Sequence, residues 1–126
     1  MTDGKSTILI VEDSEDIRSA LRLMLKLHDF NVCEAGDGES AIRQAIGIQP
    51  DMILMDVTLP GIDGIEATRA IRGQENCEDI PLIIISAHDG EDVSERARAA
   101  GATDFCSKPI EFSYLITLIN KHLHLS

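Results

Sequence analysis

The sequence predicts an α/β protein built on a parallel sheet with helices packed on both faces. Three observations predict it. Five short apolar runs rich in Ile, Val and Leu recur at 7–11, 31–35, 52–55, 82–85 and 103–106, each short enough for a strand. Helical periodicities lie between them, and such alternation gives parallel strands joined by right-handed crossovers. The third and fourth runs, Ile53-Leu54-Met55 and Leu82-Ile83-Ile84-Ile85, are apolar at every position, as strands covered on both faces are.

Each helix has its own signature. Ile17, Ala20, Leu21, Met24 and Leu25 fall at i, i+3, i+4, i+7 and i+8 and make one apolar stripe. Ser14 is its expected N-cap, with Glu15 and Asp16 at the positive end of the helix dipole. Ala41, Ile42, Ala45 and Ile46 form a second stripe opening near Asp37-Gly38. A turn-rich Pro60-Gly61-Ile62-Asp63-Gly64 precedes a third, carrying Ile65, Ala67, Thr68 and Ile71. Val93, Ala97 and Ala100 mark a weaker fourth. Leu115, Leu118, Ile119, His122 and Leu123 make the fifth, which runs to the C-terminus.

At 126 residues the chain is expected to be one domain, 1–126 with a core of about 7–123, able to bury roughly two thirds of its unfolded surface. No linker or low-complexity tract divides it. Eleven basic residues against twenty-two acidic ones leave a net charge of −11. Such a chain repels phosphate backbones and anionic lipid, which argues against direct nucleic-acid or membrane binding. No apolar run approaches the roughly 18–20 residues that cross a bilayer, and the N-terminus lacks the apolar stretch of a secretory signal. Cys33, Cys77 and Cys106 fit no zinc or redox spacing, as expected of a reducing cytoplasm, with Cys33 and Cys106 expected as buried thiols. The four histidines form no metal pattern.

In a doubly wound sheet, ligands bind outside the carboxyl ends of the strands. The first run ends at Glu12-Asp13, the third at Asp56, the fourth at Ser86 and the fifth at Lys108-Pro109. Taken singly, each has an ordinary explanation: helix cap, solvated turn or surface charge. Taken together they converge on one edge. Three carboxylates there would repel one another, and a divalent cation removes the conflict. Such oxygen ligands suit Mg²⁺, which takes one or two carboxylates plus phosphate oxygens. A carboxylate beside Mg²⁺ can accept a phosphoryl group as an acyl phosphate, with Lys108 and the Ser86 hydroxyl facing its oxygens.

These residues resemble the receiver domain of bacterial two-component response regulators. The matching pieces are Ile8-Leu9-Ile10-Val11-Glu12-Asp13, Asp51-Met52-Ile53-Leu54-Met55-Asp56, Leu59-Pro60-Gly61-Ile62-Asp63-Gly64, Ile84-Ile85-Ser86-Ala87, Gly101-Ala102 and Lys108-Pro109. The resemblance runs from about Thr7 to Leu123 and implies a flavodoxin-like (βα)5 fold with strand order 2-1-3-4-5. It implies that Asp56 accepts a phosphoryl group from a histidine kinase or phosphotransfer protein. It implies Mg²⁺ bound by Asp13, Asp56 and the Thr58 backbone carbonyl, with Glu12 acting through water. Ser86 and Lys108 match the family's hydroxyl and lysine positions, and the Lys108–Pro109 bond is expected to be cis. Phe105 matches the switch aromatic. The implied mechanism is a population shift in which Ser86 moves towards the phosphoryl group and Phe105 turns inward. That remodels the face of helix four, strand five and helix five for a downstream protein, with a homodimer through this face as an option.

Thr58 and His88 lie two residues after Asp56 and Ser86, at positions that border the phosphoryl group in this family. They set a dephosphorylation rate that the sequence does not give, and the ordinary expectation for His88 is an exposed loop residue. On this reading the protein is no enzyme beyond promoting its own phosphotransfer and autodephosphorylation. An aspartyl-phosphate phosphohydrolase would need an acid/base Asp where Thr58 stands. A flavin module would need a phosphate cradle where Glu12-Asp13-Ser14-Glu15-Asp16 stands, and the aromatic residues are few. A phosphorylation-independent, receiver-like interaction module is the remaining alternative. Asp89, Glu91, Asp92 and Glu95 on the helix-four side suggest a basic partner. A stand-alone regulator and a receiver excised from a longer protein both stay open, the Met1 start and the ending Leu123-His124-Leu125-Ser126 favouring the first.

Overall fold

The computed structural model describes residues 4–87 and 91–124. Strands β1 (Thr7–Val11), β2 (Asn31–Ala35), β3 (Met52–Asp56), β4 (Leu82–Ser86) and β5 (Asp104–Ser107) alternate with helices α1 (Glu15–Leu27), α2 (Gly38–Ile48), α3 (Gly64–Arg72), α4 (Glu91–Ala100) and α5 (Phe112–His122). The strands form one parallel sheet in the order β2-β1-β3-β4-β5. This is the flavodoxin-like arrangement expected from the sequence.

The sheet divides the core into two layers. Leu9, Val11, Ile53, Met55, Leu82 and Ile84 point towards α2, α3 and α4. Their neighbours Ile8, Ile10, Met52, Leu54, Ile83 and Ile85 point towards α1 and α5. Period-two alternation with both faces apolar is why β3 and β4 are buried along their whole length. Each fully buried Ile or Leu contributes about 1.5–3 kcal/mol, enough in sum to hold polar groups at the strand ends.

Helix starts follow local chemistry. Ser14 caps α1 by accepting from the Ile17 N–H, and Asp37 caps α2 by accepting from the Ser40 N–H. Asp63 and Glu66 form a reciprocal capping box that opens α3. The Lys108–Pro109 bond is cis, as the resemblance implied.

β3 and β4 end at Asp56 and Ser86 as expected, so these side chains ride on the sheet itself. Several other expectations need correction. β5 is shifted by one residue. Thr103 precedes the ladder because it bonds Leu82 twice, N–H to carbonyl at 2.8 Å and Oγ1 from the Leu82 N–H at 3.0 Å. Ile17 and Ala20 of the first stripe are exposed, as is Ile46 of the second. In α1 only Leu21, Met24 and Leu25 are buried. His122 is not simply apolar packing, since its Nε2 lies 2.8 Å from Asp104 Oδ2. Cys106 is buried and Cys33 only half-buried, and burial pushes both thiols up.

Candidate functional site

The C-terminal ends of β1, β3, β4 and β5 bring the site together. Glu12 follows β1 and is tied to β2 by its N–H, which donates to the Ala35 carbonyl at 3.1 Å. Its Oε2 accepts from the Ser14 N–H at 3.0 Å, so the turn into α1 holds the side chain. Asp56 closes β3, paired with Ile85 of β4. Ser86 closes β4 opposite Ser107. Lys108 follows β5, and its N–H donates to the Ser86 carbonyl at 2.8 Å.

Glu12, Asp13 and Asp56 offer carboxylate oxygens that all lie within 4.8 Å of one another. Glu12 and Asp56 are buried while Asp13 faces solvent. The Lys108 ammonium reaches in from the side, 3.2 Å from Asp56 Oδ2 and 3.3 Å from Glu12 Oε1. Burial pushes the Glu12 carboxyl up and the Asp56 charge adds to that, outweighing the Ser14 N–H and Lys108. Burial draws Lys108 down, but Asp56 and Glu12 overcome it and hold the ammonium above the usual lysine value. One lysine thus faces two buried carboxylates, a local excess of negative charge. Three hard oxygen donors converging with excess charge and one open side fit a divalent cation of the Mg²⁺ type.

Ser86 is buried beside this cluster. The Thr58 N–H lies 3.4 Å from Asp56 Oδ1, and Thr58 itself is exposed. Phe105 is outside the cluster: it is half-buried in mid-β5, opposite Ile84, and packs on the layer with α2, α3 and α4. His88 and Asp89 lie outside the described residues, as does the side chain of Glu91. Asp92 and Glu95 are exposed on α4, but so are Arg96 and Arg98.

Two contributors were missed by sequence reasoning. Gly64 packs so tightly under the turn after Asp56 that an added Cβ would collide with the Asp56 carbonyl. Its N–H donates to the Val57 carbonyl at 2.8 Å. The Asp63-Gly64 pair was legible as a turn, but the close approach was not. Ile17 and Ala20 line a groove of about 350 Å³ with Pro109, Ile110 and Phe112, and Lys108 stands at its edge. Periodicity puts Ile17 and Ala20 on the same helix face as Leu21, Met24 and Leu25 but does not give what covers each residue.

Residues 8–120 match the family model described as the response regulator receiver domain. Protein PilH of Pseudomonas aeruginosa is 34% identical over 113 residues, which cover 90% of this chain and 93% of that protein. The transcriptional regulatory protein PrrA of Mycobacterium tuberculosis is 33% identical over 112 residues, 89% of this chain but 47% of that protein. The chain thus spans about half the length of that relative. Among solved structures, the receiver domain of the sensor histidine kinase PA1611 from Pseudomonas aeruginosa superposes with a TM-score of 0.89 at 33% identity, covering 96% of this chain and 99% of that one. That structure has a magnesium ion coordinated in its active-site cleft.

Proposed function

The chain belongs to the response regulator receiver family of two-component signalling, and on that premise we propose that it is a switch operated by phosphorylation of Asp56. The observation that carries this reading is the strand-end cluster, where a buried Asp56 meets Lys108 at 3.2 Å and shares a 4.8 Å space with Glu12 and Asp13. Asp13, Asp56 and the Thr58 carbonyl would hold Mg²⁺, with Glu12 acting through a water, and the ion would supply charge neutralisation for the phosphoryl oxygens.

A carboxylate oxygen of Asp56 attacks phosphorus, the P–N bond to a phosphohistidine of a kinase or phosphotransfer protein breaks, and an acyl phosphate forms. Lys108 holds phosphoryl oxygens by charge, and the Ser86 hydroxyl donates to one of them. Attack of water on phosphorus later regenerates Asp56 and releases phosphate. The apolar groove supports docking of the phosphodonor there, because its lining includes Lys108, whose ammonium reaches Asp56 at 3.2 Å. Movement of Ser86 draws Phe105 inward and remodels the α4–β5–α5 face for a downstream protein or a second copy. The reading places the protein in the cytoplasm without direct nucleic-acid or membrane binding, which its net charge of −11 supports. Among the described residues no helix is long and apolar enough to cross a membrane. It acts on no separate substrate, and the whole of 1–126 works as one receiver domain.

The test is intact-protein mass after incubation with acetyl phosphate and Mg²⁺. A gain of one phosphoryl group, lost in Asp56→Ala and in a metal-free sample, is the expected result. A gain that survives Asp56→Ala would remove the assigned phosphoacceptor. No gain from acetyl phosphate or from a cognate kinase would leave the interaction-module reading in its place.

A further inference from the structure

Arg18 is half-buried in the first turns of α1 and is not part of the carboxylate cluster, yet it bonds to the cluster's backbone. Its Nη1 donates to the Glu12 carbonyl at 2.8 Å, and its Nε donates to Glu34 Oε1 at 3.1 Å. Glu34 lies on β2, and its second oxygen accepts from Arg22 Nη1 at 2.9 Å. Burial raises the Glu34 carboxyl, but the bonds and charges of Arg22 and Arg18 prevail and hold it below the usual range. The bridge therefore runs from the sheet, through a carboxylate gripped by two arginines, to a single carbonyl.

That carbonyl belongs to the peptide joining Glu12 to Asp13. The peptide is planar, so holding its oxygen holds the Cα atoms from which both acidic side chains spring. Asp13 is the exposed member of the trio, and like charges at this range repel, so its place beside the two buried carboxylates depends on its backbone. A guanidinium spans carbonyl and carboxylate at once because its donors form a rigid fork, which a lysine ammonium does not reproduce.

We propose that Arg18, oriented by Glu34, is a positioning residue that holds the Glu12–Asp13 peptide in the geometry the divalent cation requires. This rests on the reading of the cluster as a Mg²⁺ site. The sign of the effect separates positioning from simple electrostatics. Removing a positive charge near a cation site raises cation affinity if charge alone acts. Removing a positioning residue lowers it.

The experiment is isothermal titration of Mg²⁺ into the metal-free protein and into Arg18→Ala, Arg18→Lys, Glu34→Gln and Arg22→Ala, each with a thermal melt without metal. Arg18→Ala is expected to weaken Mg²⁺ about tenfold, the lower end for loss of an outer partner of a metal ligand. Its metal-free melting temperature should move by only a few degrees. Arg18→Lys should recover only part of the loss, and Glu34→Gln, which frees the guanidinium, should lose less than Arg18→Ala. Arg22→Ala removes the same charge without touching Glu12 and should stay within twofold of wild type. A folded Arg18→Ala that binds Mg²⁺ as well as or better than wild type overturns the proposal, as does an equal loss in Arg22→Ala. If Arg18→Ala does not fold, wild-type affinity in both Arg18→Lys and Glu34→Gln overturns it. A wild-type protein that binds no Mg²⁺ overturns the metal reading itself, a result distinct from any difference among the variants.

Discussion

The Lys108 ammonium lies 3.2 Å from Asp56 Oδ2, so the group facing the proposed phosphoacceptor is already ion-paired to it. A cation entering the cluster must share Asp56 with this lysine. Lys108→Met is therefore expected to bind Mg²⁺ severalfold more tightly than wild type. Without metal, the two buried carboxylates lose their partner, and urea melts should show a loss of about 1–3 kcal/mol. Saturating Mg²⁺ should restore most of it. Unchanged affinity in calorimetry would show that Lys108 and the cation do not compete.

Gly64 leaves no room for a side chain against the Asp56 carbonyl. Gly64→Ala should displace the turn that carries Val57 and Thr58, or the end of β3. Denaturant melts are expected to show a loss of more than about 2 kcal/mol, typical of overpacking a tight core. Mg²⁺ binding should weaken with it. Wild-type stability in the variant would mean that the turn yields without cost.

Ser86 and Phe105 sit on neighbouring strands, at the end of β4 and in the middle of β5. If movement of Ser86 is what draws Phe105 inward, beryllofluoride with Mg²⁺ should shift backbone amide resonances on β5 and α5 in the wild type. In Ser86→Ala the shifts should stay near Glu12, Asp13 and Asp56. Equal shifts on α5 in both proteins would remove Ser86 from the relay.

Asp104 and His122 join β5 to the last turn of α5 at 2.8 Å. Burial raises the Asp104 carboxyl, but the His122 bond, the Phe105 N–H and the charges of His122 and Lys121 outweigh it and hold the group low. A carboxyl lowered on folding adds stability above its unfolded value, near 3.9, and loses it as pH falls through the lower folded value. Wild type should exceed Asp104→Asn in stability by about 0.5–1 kcal/mol at pH 5–6. The gap should close as the pH drops below 4. Urea melts across this range give the check, and a gap independent of pH would show that the carboxylate charge is not what stabilises.

The sheet and its edge were legible because strand periodicity is strict. Five apolar runs placed Glu12, Asp13, Asp56, Ser86 and Lys108 at one end of a parallel sheet, and the carboxylates and lysine do meet there. Contacts set by the third dimension were not legible. Arg18 reads as one more polar residue on α1, and nothing in its spacing points to the Glu12 carbonyl. His122 reads as part of an apolar stripe until β5 brings Asp104 against it. Ile17 and Ala20 continue the stripe of α1 past the residues that the sheet covers.

The sheet ends at β2 on one side and β5 on the other. On β2, the Glu34 carbonyl is already taken by the Gln44 side chain at 2.7 Å, and Arg18 and Arg22 crowd the Glu34 carboxylate. On β5, only four residues are available, opened by an ion-paired Asp104. Short or charged edge strands make poor templates for another chain. A partner that reads this molecule must therefore grip side chains on helix faces rather than add a strand to the sheet, and the same edges guard a concentrated solution of the protein against fibrillar stacking.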